Sequence, residues 1–201
     1  MLKSNYSNKH SEVGCDESGR GCLSGPVVAA AVMLPKNYNN TLLNDSKKIT
    51  AKQRELLYNQ IILDAKSYAI EEVSNKEIDK INILNSSFLA MHKAIDKINS
   101  SFNLLLIDGN KFKTYKNIKH VCIIKGDGKY QSIAAASILA KVHRDLIMEN
   151  LHVKFPEYHW KKNKGYPTKQ HRQAIVKYGI SIYHRKSFNL FEKQLKINFT
   201  K

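Results

Sequence analysis

Apolar residues fall first into short unbroken runs and later into helical spacing, which divides the chain into strands and helices. Residues 13–18 and 27–34 read as strands joined by a glycine-rich turn at 19–25. The second run is almost wholly apolar, as in a central strand buried on both faces, and Pro35 ends it. Thr50-Ala51-Lys52-Gln53 has the spacing of a capping box and opens a helix carrying Leu56, Leu57, Gln60, Ile61 and Asp64. A third strand is expected at 67–73. A second box, Ser74-Asn75-Lys76-Glu77, opens a helix that runs with a break through Ile98. Residues 103–108 form a strand ending in a carboxylate, and residues 121–125 form another.

A long helix follows over 130–153. Ile133, Ala136, Ala140, Ile147 and Leu151 mark its buried face, and the small residues 134–137 let it lie close to a sheet. Beyond Pro156 the chain turns basic and aromatic, with a short helix at 169–178 and an amphipathic one at 187–197. Strands followed by alternating strands and helices predict an α/β layered fold with a mixed sheet. No repeat, low-complexity block or linker interrupts it, and 201 residues suffice for one real core.

Charge narrows the function. The formal net charge is +16 and the pI about 9.7, which favours a polyanion, nucleic acid before acidic membrane. Part of that surplus belongs to a composition rich in Lys, Asn and Ile throughout. The three cysteines, Cys15, Cys22 and Cys122, form no CxxC pair, which argues against a disulfide framework or a zinc site and for a reducing compartment. No apolar run reaches bilayer length, and the first ten residues carry no apolar leader. A monomer in the cytoplasm, free of membrane, is expected.

The candidate chemistry is carboxylate chemistry. Asp16 and Glu17 end the first strand, Asp108 ends the Leu-Leu-Leu-Ile strand, and Asp127 sits between two glycines before the long helix. Each alone fits an ordinary solvated turn. Together they suit hard divalent ions, with Asp127 also favoured as an anion near a helix amino terminus. Strand alternation poses a difficulty. Asp16 and Glu17 point to opposite faces unless the chain breaks there; otherwise Glu17 contributes a carbonyl or reaches in from the rim. Gly19-Arg20-Gly21 offers bare backbone and a phosphate partner. Asp64, Asp79 and Asp96 read as solvated helix faces and Asp145 as an ion-pair partner of Lys141, while His171 reads as a loop stabiliser.

Six ordered blocks resemble bacterial ribonuclease HII: Gly-Cys-Asp-Glu-Ser-Gly-Arg-Gly from Gly14, Leu43-Asn44-Asp45-Ser46-Lys47-Lys48, Ile107-Asp108-Gly109-Asn110, Lys125-Gly126-Asp127, the stretch 133–145, and Gly165-Tyr166-Pro167-Thr168 with His171 and His184–Phe188 beyond. The resemblance implies an RNase H-like fold, with a catalytic part at 10–155 and a helical substrate-binding segment of the same domain at 156–201. It implies endonucleolytic cleavage of the RNA strand in RNA–DNA hybrids and at ribonucleotides embedded in duplex DNA. The ends would be 5′-phosphate and 3′-hydroxyl, and the cofactor two Mn²⁺ or Mg²⁺ ions. By motif position Asp16, Glu17, Asp108 and Asp127 match the metal-binding carboxylates. Gly19, Arg20 and Gly21 match the motif that reads the 2′-hydroxyl, and Tyr166 matches the tyrosine that senses the RNA–DNA junction. Lys47, Lys48, Lys161, Lys162 and Lys164 would track phosphates.

Ser18, Cys22 and Pro167 depart from the residues usual at their positions, and Pro167 would stiffen the loop bearing Tyr166. The sister family, ribonuclease HIII, usually carries a further amino-terminal domain, and about a dozen residues precede the motif here. Two rivals make different forecasts: another two-metal nuclease would cut all-DNA duplex, and a basic binding domain would cut nothing.

Overall fold

In a computed structural model, which describes residues 2–43 and 49–191, five strands make one mixed sheet in the order β3-β2-β1-β4-β5. They are β1 (Glu12–Ser18), β2 (Val27–Met33), β3 (Ser67–Val73), β4 (Leu104–Asp108) and β5 (Lys119–Ile123). β1 pairs antiparallel with β2 and parallel with β4, so the middle strand is the one that carries the Asp-Glu pair. β2 lies next to it and is buried along its whole length.

The alternation along β2 divides the core. Val27, Ala29 and Ala31 face α2 (Asn75–Asp96) through Ile78, Met91 and Ile95. Val28, Ala30 and Val32 face α1 (Ala51–Asp64) and α3 (Gln131–Lys154) through Leu57, Ile61, Ile138 and Leu139. Thr50 closes the expected capping box on α1, its hydroxyl accepting from the Gln53 amide. Ser74 caps α2, which kinks at Asn82, where φ is +64°. α3 lies hard against β1: a Cβ at Gly14 would stand 2.3 Å from the Ser132 carbonyl carbon.

Two expectations shift. The fifth strand runs 119–123 rather than 121–125, because Lys125 adopts a left-handed conformation at φ +55° and turns the chain into a tight turn at Gly126–Gly128. No helix starts at Ser187: after a turn at 186–187 the chain is irregular to 191, with Ser187 and Lys186 donating their amides to Asp79, and the rest of that expected helix lies outside the described residues. Asp79 is therefore a tie for the carboxy-terminal segment and not a solvated face. That segment contains α4 (Trp160–Asn163) and α5 (Lys169–Tyr178) around a core of Trp160, Tyr158, Ile175 and Leu190. It returns to the sheet by pairing with the glycine loop: Gly25 N–H donates to the Tyr183 carbonyl at 2.9 Å and Arg185 N–H to the Leu23 carbonyl at 2.8 Å.

Candidate active site

β1 stays paired with β2 through Ser18, so the chain does not break at the acids and the alternation holds. Asp16 points to the α3 face, where the Ser137 hydroxyl donates to it. Glu17 points to the α2 face and borders a hollow with Ser87, Phe88 and Met91. The two meet at the end of the strand, where both line a cleft of about 560 Å³. Asp108, at the end of the neighbouring parallel strand, borders both spaces. Glu17 thus reaches the cleft from its rim.

These acids are costly neighbours. Burial holds the Asp16 carboxyl well above the usual carboxylate range, and the charges of Glu17 and Asp108 push the same way. Burial also raises Glu17, opposed by the Arg20 guanidinium 3.1 Å away. The Asp108 Oδ1 accepts from the Gly126 amide at 2.6 Å, which brings Asp127 one residue from that contact, buried in its turn. Among the described residues no three acids, histidines or cysteines already stand close enough to enclose an ion. The donor chemistry nonetheless fits a hard divalent cation: oxygen ligands only, buried, and mutually repelling until a cation stands among them. Lys141 also lines the cleft but is paired with Asp145 at 2.6 Å.

Gly19, Arg20, Gly21 and Tyr166 line the rest of the cleft as a second wall. Gly19 has φ +97°, and a Cβ there would lie 2.0 Å from Arg144 Nε, so only glycine fits. At Gly21 a Cβ would meet nothing within 4 Å, so the protein itself does not demand glycine there. The Arg20 side chain is half-exposed, and Tyr166 is 39% exposed at the cleft. The Tyr166 carbonyl accepts from His171 Nδ1 at 2.9 Å. That tautomer follows from Trp160, whose Nε1–H donates to His171 Nε2 at 3.0 Å. Trp160 and His171 are fully buried, so both are anchors for the tyrosine loop. Lys47 and Lys48 lie outside the described residues. Lys161 and Lys162 are exposed, whereas Lys164 is paired with Glu149 and largely buried.

Sequence reasoning missed the two arginines behind this wall. Arg144 and Arg185 are completely buried and bond to the loop's carbonyls. Arg144 had a signal, since it falls on the buried stripe of α3 between Ala140 and Met148; Arg185, in irregular chain, had none.

Comparison with known proteins finds relatives along most of the chain. The family model for ribonuclease HII matches residues 13–191. A curated Ribonuclease HII from Christiangramia forsetii is 57% identical over 194 residues, covering 96% of this chain and 98% of that one. Among solved structures, ribonuclease H2 from Pyrococcus horikoshii OT3 superposes with a TM-score of 0.75 at 25% identity, covering 89% of this chain and 94% of that one. Bst-RNase HIII, solved in complex with Mn²⁺, has the same fold at a TM-score of 0.70 and 18% identity, covering 90% of this chain and 67% of that one.

Proposed function

The chain belongs to the ribonuclease HII family, and from that membership we propose how its cleft cuts nucleic acid. It is a ribonuclease H, an endonuclease acting on RNA–DNA hybrids, of a family that depends on divalent metal. Our reading is that it also cuts at single ribonucleotides embedded in duplex DNA. The observation that carries the reading is the juxtaposition of two unlike walls: three crowded carboxylates on one side, and open backbone at Gly21 with an exposed Tyr166 on the other.

Asp16, Glu17, Asp108 and Asp127 would hold the cations, Mn²⁺ or Mg²⁺. A pair of such ions, when bound, supplies activation of the attacking water and stabilisation of the leaving oxygen. The residues do the rest. Ser137 fixes the Asp16 carboxylate by hydrogen bonding. The Gly126 amide fixes Asp108. Backbone groups at Gly19 and Gly21 are placed to meet a 2′-hydroxyl, the group that separates RNA from DNA. Arg20 turns from Glu17 to a phosphate when substrate enters. Tyr166 packs on the sugar and rewards the geometry of a ribonucleotide followed by DNA. Residues 10–155 then carry the cutting and residues 156–201 the grip on the duplex, in a monomer working in the cytoplasm.

The test is a duplex with one embedded ribonucleotide, incubated with Mg²⁺, with Mn²⁺, or with chelator, and the ends mapped. We expect 5′-phosphate and 3′-hydroxyl ends with metal and no cleavage with chelator. Cleavage of an all-DNA duplex, or a cyclic phosphate end, overturns the reading.

A further inference from the structure

The Gly19–Pro26 loop and the Tyr166 loop come from distant parts of the chain; the Leu23 N–H donates to the Gly165 carbonyl at 2.8 Å, and Arg144 adds a side-chain tie between them. Arg144, on α3, sends its three guanidinium nitrogens to three carbonyls: Nε to Pro26 at 3.0 Å, one terminal nitrogen to Ser24 at 3.1 Å, and the other to Lys164 at 2.8 Å. Its guanidinium carbon also lies 5.9 Å from the Tyr166 ring centre, over its face. Gly19 rests directly on the same side chain. Arg185 repeats the device from the carboxy-terminal segment, donating to Gly25, Arg20 and Pro26 at 3.0, 2.9 and 3.0 Å.

Neither arginine is exposed at all, and among the described residues neither forms an ion pair with a carboxylate. A buried cation without a counter-charge is expensive for the fold. For Arg185 the expense is visible, since burial pushes its guanidinium down to about 10. A core that needed only volume would carry an apolar residue at this point of the α3 stripe. What the planar fork supplies, and neither a lysine nor an apolar residue can, is simultaneous bonds to several carbonyls in fixed directions.

We propose that Arg144 is a positioning residue. It sets the separation between the Gly19–Gly21 backbone and Tyr166, and so determines how strongly a ribonucleotide–DNA junction is preferred over a continuous hybrid. Arg185 holds the far side of the same loop. The inference rests on the proposed junction reading and extends it to residues that touch no substrate.

The experiment compares kcat and KM on a duplex with one ribonucleotide and on a long RNA–DNA hybrid, for the unaltered protein, Arg144→Lys and Tyr166→Ala. Folded fraction is measured alongside by thermal melting. A displacement of about 1 Å between the two loops should lower kcat/KM on the single ribonucleotide by about 30-fold, and by several-fold less on the long hybrid. A merely structural role predicts equal proportional losses that follow the folded fraction, and equal losses overturn the proposal. If Arg144→Lys does not fold, Gly165→Ala wedges the same joint, because its Cβ would stand 2.7 Å from the Ser24 carbonyl oxygen; it should show the same selective loss, and an unselective one overturns the proposal. The double variant Arg144→Lys/Tyr166→Ala should lose little selectivity beyond Tyr166→Ala alone, and full additivity contradicts action through Tyr166. Should Tyr166→Ala itself lower both substrates equally, the junction reading fails. Should only the Arg144 variants do so, that reading stands and this inference falls.

Discussion

At the carboxylate wall the charge of Asp108 raises the cost of Asp16 and Glu17, Glu17 adds to that of Asp16, and among the described residues Arg20 is the only cation in an ion pair with any of the three. At the glycine wall a few ångströms of chain further on, Arg144, Arg185, His171 and Trp160 each have their donors met by carbonyls or rings already in place. One wall leaves its electrostatics to be completed by something that arrives. The other has completed its hydrogen bonding before anything arrives. That contrast suits the proposed roles: a group that binds and releases an ion gains from being unsatisfied without it, whereas a surface that compares one sugar with another gains from not moving.

The largest test of that contrast is Asp16→Asn. Cleavage of any hybrid should fall by about 10³-fold or more, because one ligand and one charge are removed. In the absence of divalent ions the same variant should melt at a higher temperature than the unaltered protein, because a buried, repelled carboxylate has gone. Lower melting without metal would mean that the wall is not held in the unsatisfied state described above.

Next in size is a pair of glycines one residue apart from Arg20. Gly19→Ala should destabilise the fold by about 3 kcal/mol, from a left-handed backbone and a clash with Arg144. Gly21→Ala should change stability by no more than about 0.5 kcal/mol, since its Cβ meets nothing, yet lower cleavage by about tenfold where substrate backbone must approach. Melting curves and initial rates on the same preparations separate the two; a Gly21→Ala enzyme of full activity would remove Gly21 from the reading surface.

The smallest effect is in the pH dependence of stability, where the two walls carry opposite signs. His184 is buried and neutral, with its pKa lowered to about 4 by burial and by the neighbouring His171; the Ser181 amide and hydroxyl face its Nδ1. The unfolded chain binds a proton near pH 6.5 that the folded one refuses, so this contribution is lost as pH falls from about 6.5 toward 4. Asp16, raised in the fold, works the other way: its penalty at neutral pH is relieved as pH falls through its elevated value. Thermal melts across that window should therefore flatten in His184→Gln and steepen in Asp16→Asn. Parallel curves for all three proteins would contradict the opposition.

Much of the sheet was legible in the sequence because β2 and β4 are apolar runs, closed by Pro35 and Gly109, and because both capping residues, Thr50 and Ser74, sit where the spacing put them. The break expected at Gly19 and Gly21 does not reach the acids, because β1 stays paired with β2 through Ser18. The last strand was misplaced because a left-handed Lys125 leaves no mark on composition. Asp79 was misread because its partners, Lys186 and Ser187, lie more than a hundred residues away. The arginine pair was hidden for a related reason. A charged side chain is priced as exposed until carbonyls from distant loops are seen to surround it, and nothing local announces those loops.

Arg185 reaches back 160 residues to Gly25 and 165 to Arg20. During synthesis the amino-terminal part of the chain emerges first and can pair β1 with β2 early, whereas closing so long a loop is slow and comes late. A nascent or truncated chain ending before Tyr183 would hold Asp16, Glu17, Asp108 and Asp127 without the tie that shapes Gly19–Gly21. On the proposed reading, the ability to choose a target is the last property such a chain acquires.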